Sequence, residues 1–241
     1  MSETPYGIVG DGRMASHLAR YLDLCGLTYR QWSRRRARET GQTLADVVGP
    51  CRTVLLLIDD SAIAPFASEQ LELSEKNLVH FSGCVTTPRA QGMHPLCTFD
   101  TGTYDLETYR AIPFVCEPEP HAFPDLFPEL PNPSYVLDVG LKPLYHAVSV
   151  MGGPFTTLLW NKLHQVFEER LGLPREVAGP YMTRVFENLR VAPEAARTGP
   201  LTRADVETIR SNLEALEGDP FAGVYRAFVQ ATTPELIAEF K

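Results

Sequence analysis

The chain has 241 residues, 44% of them apolar and 22% charged, enough to bury a full core without disulfide or metal staples. Its formal charge of −8 argues against a nucleic-acid or anionic-membrane surface, because both require a net basic face. Five cysteines with no Cys-x-x-Cys pair read as reduced, mostly structural thiols rather than metal ligands, and neither a leader pattern nor a window of about 18 apolar residues appears, so a cytoplasmic location away from membranes is expected.

Tyr6-Gly7-Ile8-Val9 reads as a short buried strand and Gly10-Asp11-Gly12 as the turn after it. Met14, Leu18 and Leu22 follow at helical spacing, with Gly26 as the stop. Gly10 permits a tight turn, and Gly12 lets a pyrophosphate approach the N–H groups at the helix start. Ala15 fills a third position that must be small for helix and sheet to pack. With a strand before, a helix after and a second strand over Thr28 to Trp32, this is a dinucleotide fingerprint. It predicts cofactor contacts from Gly10, Asp11, Gly12, Arg13 and Met14.

An NAD-preferring site would end its second strand on Asp or Glu, which binds the ribose 2′-hydroxyl. Here Ser33 stands there, followed by Arg34, Arg35 and Arg36. A hydroxyl and guanidinium groups suit a 2′-phosphate, whereas a carboxylate would repel it. NADP(H) is therefore expected over NAD, with Ser33 and Arg34 as leading ligands and Arg35 next.

Thr53 to Ile58 is a continuous apolar run, as a parallel strand covered on both faces requires. Its exit, Ile58-Asp59-Asp60, lies where such strands present ligands, and Asp60 or Ser61 is expected to cap a helix from Ala62. Leu78 to Phe81 makes the next strand, with His80 as a satisfied core histidine, and Ser82-Gly83 falls at the nicotinamide end. His94-Pro95 follows a glycine loop; it either carries an imidazole to the cleft mouth as a substrate contact or serves the turn. Ile112 to Cys116 reads as a fifth strand. Six prolines between Glu117 and Pro133 leave room only for a short turn around Asp125 to Leu130, before Tyr135 to Val139 closes the sheet.

Beyond that point the period becomes helical. The fold expected is α/β: a Rossmann-type, mostly parallel sheet domain over residues 1–140, then an all-helical domain over 141–241 for substrate binding and dimerisation. Lys142-Pro143 opens a helix that runs to a break at Gly152-Gly153-Pro154, and Phe155 to Leu171 continues. Further helices are expected around Tyr181 to Leu189, from a capping-box-like Thr202-x-x-Asp205, from Pro220, and as a last turn over Pro234 to Phe240. Lys142, Tyr145 and His146 stand at i, i+3 and i+4 and share one helix face. An ammonium, a phenol and an imidazole together can supply the proton that hydride transfer needs.

These motifs resemble the 6-phosphogluconate dehydrogenase-like superfamily, which includes ketopantoate reductase, pyrroline-5-carboxylate reductase and the NADP oxidoreductases that use coenzyme F420. More closely, the chain is similar to a bacterial family with a Rossmann domain followed by a helical domain of unknown function. The resemblance rests on Gly10 to Ala15, the Ile58 to Ile63 strand exit, His80-Phe81-Ser82-Gly83, His94 to Phe99, Lys142 to Ala147 and Thr198 to Asp205. It implies that Lys142 is the general acid/base. It also leaves two departures: Gly152-Gly153 where an Asn is usual, and Arg203-Ala204-Asp205 where the superfamily has Arg-Gly-Asp. The expected protein is a homodimeric NADP(H)-dependent oxidoreductase acting on a small carbonyl, imine or hydroxy acid in the interdomain cleft. Lys142 would carry the proton, Tyr145 and His146 would assist, and Ser82, Gly83 and His94 would hold the substrate. The alternatives are a non-catalytic NADP(H)-binding sensor or partner protein and, more weakly, a flavin-type redox partner.

Overall fold

A computed structural model of the chain describes residues 6–236, which divide into two compact units, one ending at Leu159 and the other beginning at Trp160. The first holds β1 (Tyr6–Val9), α1 (Arg13–Leu24), β2 (Tyr29–Trp32), α2 (Arg34–Thr40), α3 (Leu44–Val48), β3 (Thr53–Leu56), α4 (Asp60–Glu69) and β4 (Asn77–His80). It continues through β5 (Gln91–Pro95), α5 (Leu106–Ala111), β6 (Phe114–Cys116), α6 (Phe123–Leu126), β7 (Ser134–Val136) and α7 (Lys142–Val150). The seven strands form one sheet in the order β2-β1-β3-β4-β5-β6-β7. All pairings are parallel except β5 with β6.

Successive residues of the inner strands enter different cores. Ile8, Leu55 and Val79 join Leu18 and Leu22 of α1 on one face, while Val9, Val54, Leu56 and Leu78 join Val48 and Ile63 on the other. Both faces are covered, which is why β3 is buried at every position rather than alternating. Each such Leu or Ile contributes roughly 1.5–3 kcal/mol by leaving water.

The strand β5 is missing from the sequence reading, which puts His94-Pro95 in a loop. Gly92 and Pro95 disguise it, and each has a tertiary reason. A Cβ at Gly92 would lie 2.6 Å from Lys142 Nζ and 2.9 Å from Glu117 Oε1, so the strand needs a residue without a side chain there. Pro95 ends the strand, where the lost N–H is tolerated. Two boundaries also move. The helix α4 begins at Asp60 after an Asp59 cap that makes no side-chain bond, so neither Asp60 nor Ser61 is the cap. Gly152-Gly153-Pro154 does not end the helical run: Met151–Phe155 form a π-helical turn, whose wider hydrogen-bonding register accommodates a proline, and α8 (Thr156–Val166) follows.

The second unit contains α9 (Gly179–Val191), α10 (Val206–Ala215) and α11 (Phe221–Thr232), with Ile209, Leu213 and Val229 as its buried centre. Lys162 pairs with Asp219 at 2.5 Å, and Trp160 packs on Tyr181 and Phe186. The cap of α10 is Asp205, which accepts from the Thr208 N–H at 3.1 Å, rather than Thr202. Ala204 sits at φ 53, the left-handed region that favours the glycine of the related Arg-Gly-Asp pattern. The last turn expected over Pro234 to Phe240 runs beyond the described residues. No described helix is long and apolar enough to cross a membrane.

Candidate active site

The cleft begins at the turn after β1. Gly10 has φ 127, and a Cβ there would lie 2.1 Å from the Leu57 carbonyl oxygen, so the turn accepts only glycine. A Cβ on Gly12 would meet nothing within 4 Å, because this residue faces open space at the start of α1. Gly12 caps that helix with no side-chain bond, and its first turn carries no acidic residue. The first N–H groups are thus left for an anion, as pyrophosphate binding requires. The cleft encloses about 890 Å³ and is lined by residues 10–14, 33–35 and 58–60 together with Ser82. All the predicted cofactor residues therefore share one cavity, of a size that suits an extended organic ligand. Arg38 and Phe99 also line it and were not anticipated.

At the end formed by β2, Asp11 organises its neighbours. Ser33 Oγ donates to Asp11 Oδ2 at 2.8 Å, and Arg35 Nε donates to the same oxygen at 2.9 Å. The bond from Ser33, helped by Arg35, holds the Asp11 carboxyl below its ordinary range. Ser33 Oγ also accepts from the Arg36 N–H at 3.1 Å, which caps α2. Arg34 and Arg38 enter no ion pair among the described residues.

At the other end, Ser82 Oγ accepts from the backbone N–H groups of Cys84 and Val85 at 3.3 and 3.1 Å, shaping the loop after β4. The Cys84 thiol donates to Asp60 Oδ2 at 3.3 Å. Gly83 lets two imidazoles approach: a Cβ there would lie 2.8 Å from His146 Nδ1 and 3.3 Å from His94 Cδ2. His94 Nδ1 meets the Tyr145 hydroxyl at 2.6 Å, with the rings edge to face. His146 Nδ1 is buried and has no hydrogen-bond partner among the described residues. Burial raises the Tyr145 hydroxyl above its ordinary range.

Lys142 is placed differently from its two helix neighbours. It is 5% exposed, its Nζ donates to Glu117 Oε1 at 2.6 Å, and it also donates to the Val85 carbonyl. Glu117 is itself buried and accepts from the Gly92 N–H at 2.7 Å through its other oxygen. The ammonium thus ties the start of α7 to the loop after β4 and to the end of β6. Glu117 escaped notice in the sequence because it opens the proline-rich stretch; a charged residue at the end of an apolar strand was the available signal. His80 is fully buried as expected, but neither ring nitrogen has a partner among the described residues, so it is not satisfied.

Burial pushes both His94 and His80 down to about 4; the proximity of His146 and of the Lys142 ammonium adds to the first shift and Lys142 to the second. These folded-state values lie below the ordinary 6.5, so the unfolded chain binds more protons between them. Their contribution to stability is complete above about pH 6.5 and is lost as pH falls toward 4. Urea denaturation across that window should show a falling unfolding free energy, with a shallower slope in His80→Phe; an unchanged slope in that variant would exclude His80 as a source.

A Rossmann-type sheet with a glycine cradle for a dinucleotide, followed by helices, defines the class. Residues 117–232 match the family model of a domain of unknown function, DUF2520, a stretch that runs from Glu117 through α11. No curated protein matches the chain. Among solved structures it is similar to a candidate NADP oxidoreductase of Bacteroides fragilis, at 22% identity over 95% of this chain and 98% of that one, with a TM-score of 0.77. It is also similar to the imine reductase of Streptomyces aurantiacus, at 16% identity over 98% and 99% of the two chains, with a TM-score of 0.67. A third similar structure is the pyrroline carboxylate reductase of Plasmodium falciparum with NADP bound, at 13% identity over 99% and 98%, with a TM-score of 0.60. At these identities the likeness is one of fold.

Proposed function

We propose that the protein is an NADP(H)-dependent oxidoreductase acting on a small carbonyl, imine or hydroxy-acid carbon. The observation that carries this reading is the glycine-walled cleft, which ends at Ser82 next to the His94-Tyr145 pair. The solved relatives support it, since they include an imine reductase and a pyrroline carboxylate reductase with NADP bound. Residues 10–14 would hold the pyrophosphate, Arg34 the 2′-phosphate, and the strand exit at 58–60 the dinucleotide backbone. Bound there, NADPH supplies the hydride.

The chain's own residues supply the proton. His94 is held neutral, so its Nδ1–H can donate to the Tyr145 oxygen and leave the phenolic proton free for the substrate oxygen or nitrogen. The same N–H then stabilises the tyrosinate until solvent returns the proton. His146 packs against Gly83 beside this pair and would orient the substrate, with Ser82 lining the end of the cleft. Lys142 is too deeply paired to be the proton carrier that the superfamily implies; its part is to hold this frame.

Titration of NADPH into the wild type and into Arg34→Ala tests the cofactor assignment. Loss of one charge-assisted phosphate contact should weaken NADPH about tenfold to a hundredfold and leave NADH little changed. Equal weakening of both would remove Arg34 from the 2′-phosphate. Binding without turnover on imines, aldehydes and oxo acids would leave the second reading, a non-catalytic NADP(H)-binding protein, which the burial of Lys142 favours.

A homodimer belongs to the same proposal. The helix α9 buries no residue, and Tyr181, Phe186, Leu189 and Val191 on it are exposed, as are Leu144, Val148 and Met151. Apolar helix faces of this extent suit a second copy. Sedimentation should give about twice the 26.8 kDa chain mass at micromolar concentration. A monomer there would count against it.

A further inference from the structure

We infer that Asp11 is a specificity-determining residue: it sets an acceptor carboxylate at the ribose end of the cleft, so that the chain takes NAD(H) as well as NADP(H) and its preference for the 2′-phosphate is held down by this side chain. The inference rests on the dinucleotide reading above. In an NAD site, a carboxylate at the end of the second strand accepts the ribose hydroxyl. Here that strand ends in Ser33, yet a carboxylate arrives at the same place from the glycine turn, 2.8 Å from Ser33 Oγ.

Ser33 has one hydroxyl proton, and it goes to Asp11; its oxygen already accepts from Arg36 N–H. No side-chain donor on Ser33 remains for a phosphate. Arg35 is drawn the same way, with Nε on Asp11 and Nη1 3.5 Å from Glu39. Of the arginines lining the cleft, Arg13, Arg34 and Arg38 enter no ion pair among the described residues, and Arg34 and Arg38 are the two that stand beside Ser33 and Arg35 in the chain. A 2′-phosphate seated on Ser33 and Arg35 would face an anion already bound there, and like charges at hydrogen-bond range repel. A 2′-hydroxyl meets the opposite situation. Both bonds to Asp11 use Oδ2, so Oδ1 is free to accept a ribose proton, and the side chain is 28% exposed. The same carboxylate thus repels one cofactor and receives the other.

Calorimetric titration of NADPH and NADH into the wild type, Asp11→Asn and Asp11→Ser tests this. The wild type should bind both within about tenfold of each other, and Asp11→Asn should tighten NADPH by about fivefold or more while weakening NADH, widening the ratio at least about tenfold. Asp11→Ser, which removes the charge with a different shape, should move the ratio in the same direction. An unchanged or narrowed ratio in both variants overturns the inference and leaves the cofactor reading standing, since the wild type would still bind. Failure of the wild type to bind either dinucleotide overturns both.

Discussion

Tyr145→Phe should cut NADPH-dependent turnover by about 10²–10⁴-fold, the range of a lost general acid. NADPH affinity should stay within about twofold, because the phenol acts on the substrate and not on the dinucleotide. The substitution removes one oxygen and leaves the ring that packs edge-on to His94. It also strands His94 Nδ1, which the hydroxyl now meets at 2.6 Å, at a cost of about 1–3 kcal/mol of stability. The variant should therefore fold, bind and fail at proton transfer. The check is the rate of NADPH absorbance loss with cyclic imines, aldehydes and 2-oxo acids, beside a calorimetric NADPH titration. A loss smaller than about threefold on a substrate that the wild type turns over would assign the proton to another group.

The second large effect is on stability. Lys142→Ala should lower the unfolding free energy by about 3–5 kcal/mol, because it leaves the Glu117 carboxylate buried without its cation. Lys142 is 5% and Glu117 8% exposed, so neither group recovers much water when the other is lost. The same change cuts the bond to the Val85 carbonyl and so loosens the Ser82–Val85 loop. Replacing both partners, as in Lys142→Met with Glu117→Leu, should cost much less than Lys142→Ala alone, since a well-packed apolar pair removes the unpaired charge. Denaturation in urea at neutral pH measures all three proteins. If the single and the double variant are equally unstable, the packing of the lysine stem, and not the ion pair, is what matters.

The seven-stranded sheet was legible at six of its strands, and the reason is physical. β1, β3 and β4 are covered on both faces, so they carry short runs of consecutive apolar residues, such as Val54 to Leu56 and Leu78-Val79, that a sequence displays openly. β5 was not legible because Gly92 and Pro95 answer to partners elsewhere in the chain: a lysine fifty residues on and the strand's own end. The π-helical turn at Met151–Phe155 was hidden for a related reason. Glycine and proline are read as stops, and only the surrounding helix shows that a wider register carries the chain past them.

By itself, the sequence determined the dinucleotide cradle and the helix face. Gly10, Gly12 and Ala15 announce themselves by their spacing between a strand and a helix, and Lys142, Tyr145 and His146 share a face because a helix repeats every 3.6 residues. What each of those side chains does was decided by tertiary structure. Lys142 meets Glu117 across 25 residues, His94 meets Tyr145 across 51, and Ser33 meets Asp11 across 22. Such pairings depend on strand order and on how close two loops come. Whether a lysine is a proton carrier or half of a buried ion pair is a question of its partner and its access to water, and neither is written in local spacing.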